Sequence, residues 1–374
     1  MTLKAVVLFL LPFILGLSQT ERLEKEFSVA PGQKLQVDLK TGGSLHITGW
    51  DKNIVSIKGR TRGRDADECK VEIVQVADGV RISSYHQTKH RSYNGSVDFE
   101  INVPKKFDLD LESMGGGYAI ENVEGRIEGK TMGGPLTLTK LKGNLDLITM
   151  GGKITLRSSE VDGRVKTMGG EVLVEDVTGN VKATSMGGKV IQRNVKNRSG
   201  EGIENEVNIR TMGGDITVDD APEGADVHTM GGNIYIQRAS KHARAKTMGG
   251  NIEIDAVDGS VQATTMGGEI TVTMVGDPAQ GDRSVAVESM GGDVTVTVPA
   301  ALSMELDLAL AYTKDARERY EIVSDFDVKR EETKEWDRSK GSPRRYIYAS
   351  GSIAGGKNKV RIKTVNGNIY LRKG

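Results

Sequence analysis

Three residues, Met-Gly-Gly, recur ten times in this chain and limit its possible folds more than any other feature. The copies begin at Met114, Met132, Met150, Met168, Met186, Met212, Met230, Met248, Met266 and Met290, at intervals of 18, 18, 18, 18, 26, 18, 18, 18 and 24 residues. A fixed period of this size implies stacked units, each too small to bury its own apolar face. One unit, Met150 to Thr167, reads MGGKITLRSSEVDGRVKT. Ile154 and Leu156 stand among Lys153, Thr155 and Arg157, and Val165 and Thr167 alternate with Arg164 and Lys166. Alternation of period two marks strands with one buried face. Eighteen residues also make about five helical turns, but here the apolar positions recur at i, i+2 and not at i, i+3, i+4. The three glycines of that unit would further cost a helix about 1 kcal/mol each relative to alanine.

The expected fold is therefore all-β: a parallel β-solenoid (β-helix) of 18-residue Met-Gly-Gly coils. Each coil supplies two short strands and two turns, and pairs with the coils above and below. The longer intervals place extra turn residues at about Asn194–Glu206 and Gly276–Arg283, segments rich in Asn, Gly, Ser, Asp and Pro. Roughly eleven coils at about 4.8 Å each make a rod on the order of 50 Å long.

Around the repeat, four stretches are expected. Residues 1–18 read as a signal peptide, with Lys4 ahead of AVVLFLLPFILGL and small residues, Gly16 and Ser18, at the cleavage position. Residues 19–110 form an N-terminal β-rich segment covering one end, residues 111–300 the solenoid, and residues 301–374 a C-terminal β cap. The cap carries a charged insertion, Lys314–Lys340, that contains Trp336. No later stretch approaches the length of a membrane span, so no transmembrane segment is expected in the mature chain. With 51 basic and 51 acidic residues the chain has no net charge, which argues against nucleic acid or an anionic membrane as partner. The single cysteine, Cys69, permits no internal disulfide and is expected as a small buried residue.

Of the groups that could carry chemistry, the methionines are the sharpest. Met132, Met150, Met168, Met186, Met212, Met230, Met248 and Met266 are candidate ligands for a soft metal, because thioethers stacked one coil apart favour Cu(I). The competing and leading expectation is that each packs at a corner, where an unbranched side chain fills irregular space. Parity places Met168 outward if Thr167 points inward, unless the turn rotates it. The row Thr131, Thr149, Thr167, Thr211, Thr229, Thr247 and Thr265, with Ser185 and Ser289 as substitutes, is expected to hydrogen-bond along the ladder or to turn backbone. His86 and His90 are four apart in a segment that reads as a hairpin or loop, so their metal spacing is weak. Glu171, Asp215, Glu269 and Asp293 follow glycine pairs but are interrupted by Lys153, Lys189, Asn233 and Asn251. No nucleophile, base and orienting group can be assembled, so no catalytic residue and no cofactor are expected.

Three stretches resemble the bacterial putative-adhesin families of uncharacterised, secreted β-solenoid proteins, domains of unknown function. They are the opening Phe27-Ser28-Val29-Ala30-Pro31-Gly32 followed by Gly43-Ser44-Leu45-His46-Ile47-Thr48-Gly49-Trp50; the G-x-I-x-V coils; and the ending Ser324-Asp325-Phe326, Gly351–Gly356 and Lys363-Thr364-Val365-Asn366-Gly367-Asn368-Ile369-Tyr370. The regular methionine departs from that pattern, in which small or polar residues are expected at the turn. The resemblance implies a repeat protein of the periplasm or cell surface. The function expected is that of a non-enzymatic, exported scaffold or adhesin-like binding surface for a protein or glycan partner in the cell envelope. The alternatives are soft-metal (copper) binding through the methionine ladder and a carbohydrate-active β-helix enzyme.

Overall fold

The computed structural model describes residues 22–87, 93–196, 206–315, 319–339 and 341–374. The signal peptide expected at residues 1–18, and His90, lie outside the described residues. The all-β expectation holds: apart from strands, the only helical element among the described residues is a three-residue turn, Ala66–Glu68.

Strands pair in parallel with their counterparts one unit on. Glu124–Thr131 lies against Lys142–Thr149, with Ile127 opposite Leu145 and Thr131 opposite Thr149. Leu136–Thr139 lies between Tyr118–Glu121 and Ile154–Thr167 in the same step. The longer intervals leave the stack intact: Ala183 faces Ile209 across the first, and Val261 faces Val285 across the second. The second intervening loop is pinned by the buried Arg283, which donates to the Val275 carbonyl at 2.6 Å and to Asp258 at 2.5 Å.

Alternation decides what each strand buries. In one coil Leu145, Leu147, Thr149, Ile154, Leu156, Ser159 and Val161 all point inward and are buried. Each fully buried aliphatic contributes roughly 1.5–3 kcal/mol, and the ladder bonds of neighbouring coils make that burial cooperative. A bend not foreseen from the sequence divides the second strand. Asn122, Lys140, Ser158, Asp176 and Asn194 have φ of 59°, 53°, 49°, 55° and 46°, a left-handed corner that L residues rarely adopt. It turns the chain inward again, burying Val123, Leu141, Ser159, Val177 and Val195 as a third side of the core.

The ends are built differently from the middle, and similarly to each other. Lys34–Leu39 pairs in parallel with Asp108–Ser113 on one side and Gly79–His86 on the other. Leu45–Trp50 likewise sits between Tyr118–Glu121 and Gly95–Pro104. At the far end, Asn358–Val365 sits between Val285–Ser289 and Met304–Thr313, and Ile369–Lys373 between Val294–Val298 and Ile322–Ser324. The coil nearest each terminus of the described chain is thus second from the end, and the outermost coil comes from inside the sequence. Antiparallel strands complete the ends. Ile54–Gly63 joins Gly95–Pro104 to Arg22–Ser28, and Cys69–Val76 flanks Gly79–His86. Opposite them, Arg344–Ile353 links Met304–Thr313 to Lys329–Glu332.

Candidate functional site

The glycine-pair corner is fixed by the row of hydroxyls before it. Thr131, Thr149, Thr167, Ser185, Thr211, Thr229, Thr247, Thr265 and Ser289 are all buried. The Thr167 hydroxyl donates to the Gly152 carbonyl of the preceding coil at 2.8 Å and accepts from the Gly170 amide of its own at 3.1 Å. Ser185 repeats the pair with Gly170 and Gly188 at 2.8 and 2.9 Å, and Thr247 with Gly232 and Gly250 at 2.9 and 3.3 Å. The row therefore serves structure, as the sequence led us to expect, and offers no free nucleophile.

With the hydroxyls inside, the next residue faces out. Met114, Met132, Met150, Met212, Met230, Met248, Met266 and Met290 are 36–62% exposed, and Met168 and Met186 are half-buried. This corrects the expectation that the methionines pack at corners: the hydroxyl anchors the turn from within, so the chain has no room to rotate the thioether inward. Amide-to-carbonyl bonds run from Met212 to Met186 at 3.2 Å, Met230 to Met212 at 3.3 Å and Met248 to Met230 at 3.1 Å, so the row follows the ladder spacing. It forms an exposed ridge along one edge of the stack.

The residues after the glycine pairs do not gather into a catalytic set. Asp215 accepts the Asn233 amide at 2.7 Å, Asn233 the Asn251 amide at 2.8 Å, Asn251 the Glu269 amide at 2.9 Å, and Asp293 the Asn368 amide at 2.7 Å. Glu171 pairs with Lys153 at 2.8 Å. Asp and Asn thus cap the backbone of the neighbouring coil, which explains their interchange along the row. Beside the ridge, burial and then Lys246 and Arg210 hold the His228 imidazole below its ordinary pKa. Cys69 is buried, as expected, and burial is the first cause that pushes its thiol pKa up, followed by Asp65 and Glu68. Its sulfur lies 4.0 Å from His86 Nδ1. Among the described residues no three His, Cys, Asp or Glu side chains converge on a metal position, and no helix is long and apolar enough to cross a membrane.

The charged insertion of the C-terminal region contributes a feature that sequence reasoning did not find. A cleft of about 950 Å³ opens there, lined among others by Tyr312, Tyr320, Glu321, Arg330, Glu332 and Trp336. The Tyr312 and Trp336 rings meet edge to face at 5.9 Å, and the Arg345 guanidinium lies 4.8 Å from the centre of the Trp336 ring. The Tyr312 hydroxyl donates to Glu332 at 2.7 Å, and burial followed by this bond raises its pKa. Next to this group, Tyr346 stacks on Tyr348 at 5.7 Å and donates to Asp337 at 3.2 Å. Trp336 and Tyr320, aromatic residues in a strongly charged stretch, were the available signal. Glu331 sits 2.6 Å from Lys329, a bond that holds its carboxyl pKa below the ordinary range.

Parallel coils of this kind define the class as a β-solenoid-like repeat protein. Residues 194–372 match the family described as Toastrack DUF4097. That match to a domain-of-unknown-function family agrees with the resemblance to the putative-adhesin proteins seen in the sequence. No curated protein matches the chain. Among solved structures it is similar to a putative cell adhesion protein from Clostridium sporogenes, at 12% identity over 95% of this chain and 100% of that one, TM-score 0.19. A putative adhesin from Parabacteroides distasonis matches at 13% identity over 75% and 98%, TM-score 0.32, and one from Bacteroides fragilis at 12% over 94% and 98%, TM-score 0.20.

Proposed function

We propose that this protein is a non-enzymatic, exported β-solenoid that acts as an adhesin-like scaffold in the periplasm or at the cell surface, binding a glycan or protein. In this reading residues 1–18 are removed on export, residues 19–110 and 301–374 close the ends of the stack, and the C-terminal end carries the binding surface. The observation that supports it most is the cleft. The Trp336 and Tyr312 rings, set edge to face and rimmed by Glu332, Glu321 and Arg330, offer apolar surface for a sugar ring and hydrogen bonds for its hydroxyls. Glycan is therefore the favoured partner. A hydrolytic enzyme would need a carboxylic acid whose pKa is raised opposite a second carboxylate; Lys329 lowers that of Glu331, so Glu331 does not fit that role.

Titration calorimetry with a panel of oligosaccharides tests the reading. Binding by at least one glycan, weakened about tenfold or more in Trp336→Ala, a loss of about 1.4 kcal/mol, is expected. Equal affinity in the variant, or no glycan bound, would refute it, and accumulation of shortened saccharide would restore the enzyme alternative.

A further inference from the structure

The methionine ridge is unexplained by folding and by the cleft. Positions inside the stack exchange freely: Ile154, Val172, Val190, Ile216, Ile234, Ile252, Ile270 and Val294 occupy one inward row. The outward row beside the ridge drifts through Lys130, Ile148, Lys166, Thr184, Arg210, His228, Lys246, Thr264 and Glu288. The ridge position is methionine in all ten copies, although it faces solvent and any polar residue would satisfy the turn. The coil stacked on the last copy carries Val365 at the equivalent position, next to Thr364, which donates to the Gly292 carbonyl; through the ten coils before it no leucine, isoleucine or valine replaces the methionine, as an apolar docking stripe would allow. What distinguishes methionine from them is the sulfur.

A second observation concerns the first glycine of each pair. A Cβ built on Gly115, Gly133 or Gly151 meets nothing within 4 Å, and on Gly169 meets its nearest atom, the Gly151 carbonyl oxygen, at 3.7 Å. Packing does not require glycine at those positions. Its effect is to leave the flank of the ridge bare, so that each thioether can swing toward its neighbour along the stack.

We propose that the ridge is a linear binding site for soft monovalent metal ions, Cu(I) or Ag(I), held by the thioethers of two or three successive coils. Neighbouring methionines rise by about 4.8 Å, and three rotatable bonds per side chain let adjacent sulfurs close on one ion. Thioether sulfur prefers such ions over Zn(II), Ca(II) or Mg(II), which favour nitrogen, thiolate or oxygen. Binding is simple coordination to neutral sulfur, with no electron transferred and no proton released. At two to three sulfurs per ion the ten positions hold about three to five ions. The site is independent of the cleft.

The test uses the purified full-length chain without its signal peptide and Ag(I) as an air-stable probe, followed by Cu(I) under anaerobic conditions. Equilibrium dialysis of the wild type should retain several ions per chain, with X-ray absorption showing a sulfur shell. Replacing Met212, Met230, Met248 and Met266 by leucine should lower the stoichiometry while Trp336-dependent glycan binding is unchanged. Cys69→Ser should leave the stoichiometry unaltered. On the unmodified chain, Ag(I) should protect the ridge methionines, and not the buried Met274 and Met304, from peroxide oxidation read by peptide mass spectrometry. This readout does not depend on any variant folding. Unchanged oxidation of the ridge in Ag(I), or full retention of ions in the leucine variant, would overturn the proposal.

Discussion

At the glycine pair two identical residues answer to different constraints. A Cβ on Gly170 would stand 2.1 Å from the Gly152 carbonyl oxygen, backbone that cannot yield, whereas on Gly169 the nearest atom is 3.7 Å away. Gly169→Ala should therefore hold or raise stability by about 0.4–1 kcal/mol, through a less flexible unfolded chain. Gly170→Ala should lose about 2 kcal/mol or more, since the coil must part from its neighbour and weaken the Thr167 bond. Urea unfolding of the two variants checks this, and equal effects would contradict it. The inward threonine was legible because alternation places Thr167 with Val165. The outward methionine was legible from the same parity, yet methionine's apolar character argued for packing. What decides between them is the hydroxyl bond to Gly152, a contact between coils that no single unit displays. The left-handed corner at Ser158 and Lys140 was not legible either, because lysine and serine give no sign of positive φ; only Asn122, Asp176 and Asn194 do.

Strands at the two ends illustrate how far local pattern reaches. Alternation marks Met304–Thr313 and Asn358–Val365 as strands, but it does not say that the second inserts between the first and Val285–Ser289. Register between distant segments depends on which edges remain open when they meet, and that is a property of the assembled stack. The same limit hid the cleft, whose walls come from the strand Met304–Thr313, the strand Lys329–Glu332 and the segment around Trp336. The insertion also makes the last strand a wedge. Ile369 and Leu371 are fully buried between Val294–Val298 and Ile322–Ser324. Removing residues 369–374 forfeits about 3–6 kcal/mol of apolar burial from those two side chains. Hydrogen exchange should show protection lost from 285 to the new terminus while 124–265 stays protected, as expected of nearest-neighbour stacks. Loss spread evenly along the chain would show that the stack melts as one unit.

Across the whole molecule the period itself becomes testable. Deleting residues 150–167 joins Thr149 to Met168 and preserves every inward and outward position. The shortened chain should fold with a cooperative melt and a β-type circular dichroism spectrum. Deleting 150–166, one residue fewer, moves each following side chain to the opposite face at the junction and should abolish that melt. The neutral net charge has the same origin as the period. Outward charges meet opposite charges one coil away, as in Arg157 with Glu175 at 2.8 Å and Arg164 with Asp146 at 2.7 Å. Each such exposed pair is worth little alone, but like charges in register would repel along the entire ladder.

The strand Lys329–Glu332 has every side chain exposed and reads Lys-Arg-Glu-Glu, while Arg22–Ser28, outermost at the opposite end, carries Glu24, Lys25 and Glu26. A molecule made of interchangeable rungs is at constant risk of recruiting its own copies end over end into a filament. These two short rows of charge, which a neighbour could cover only by stripping them of water, oppose that growth at the edges they occupy.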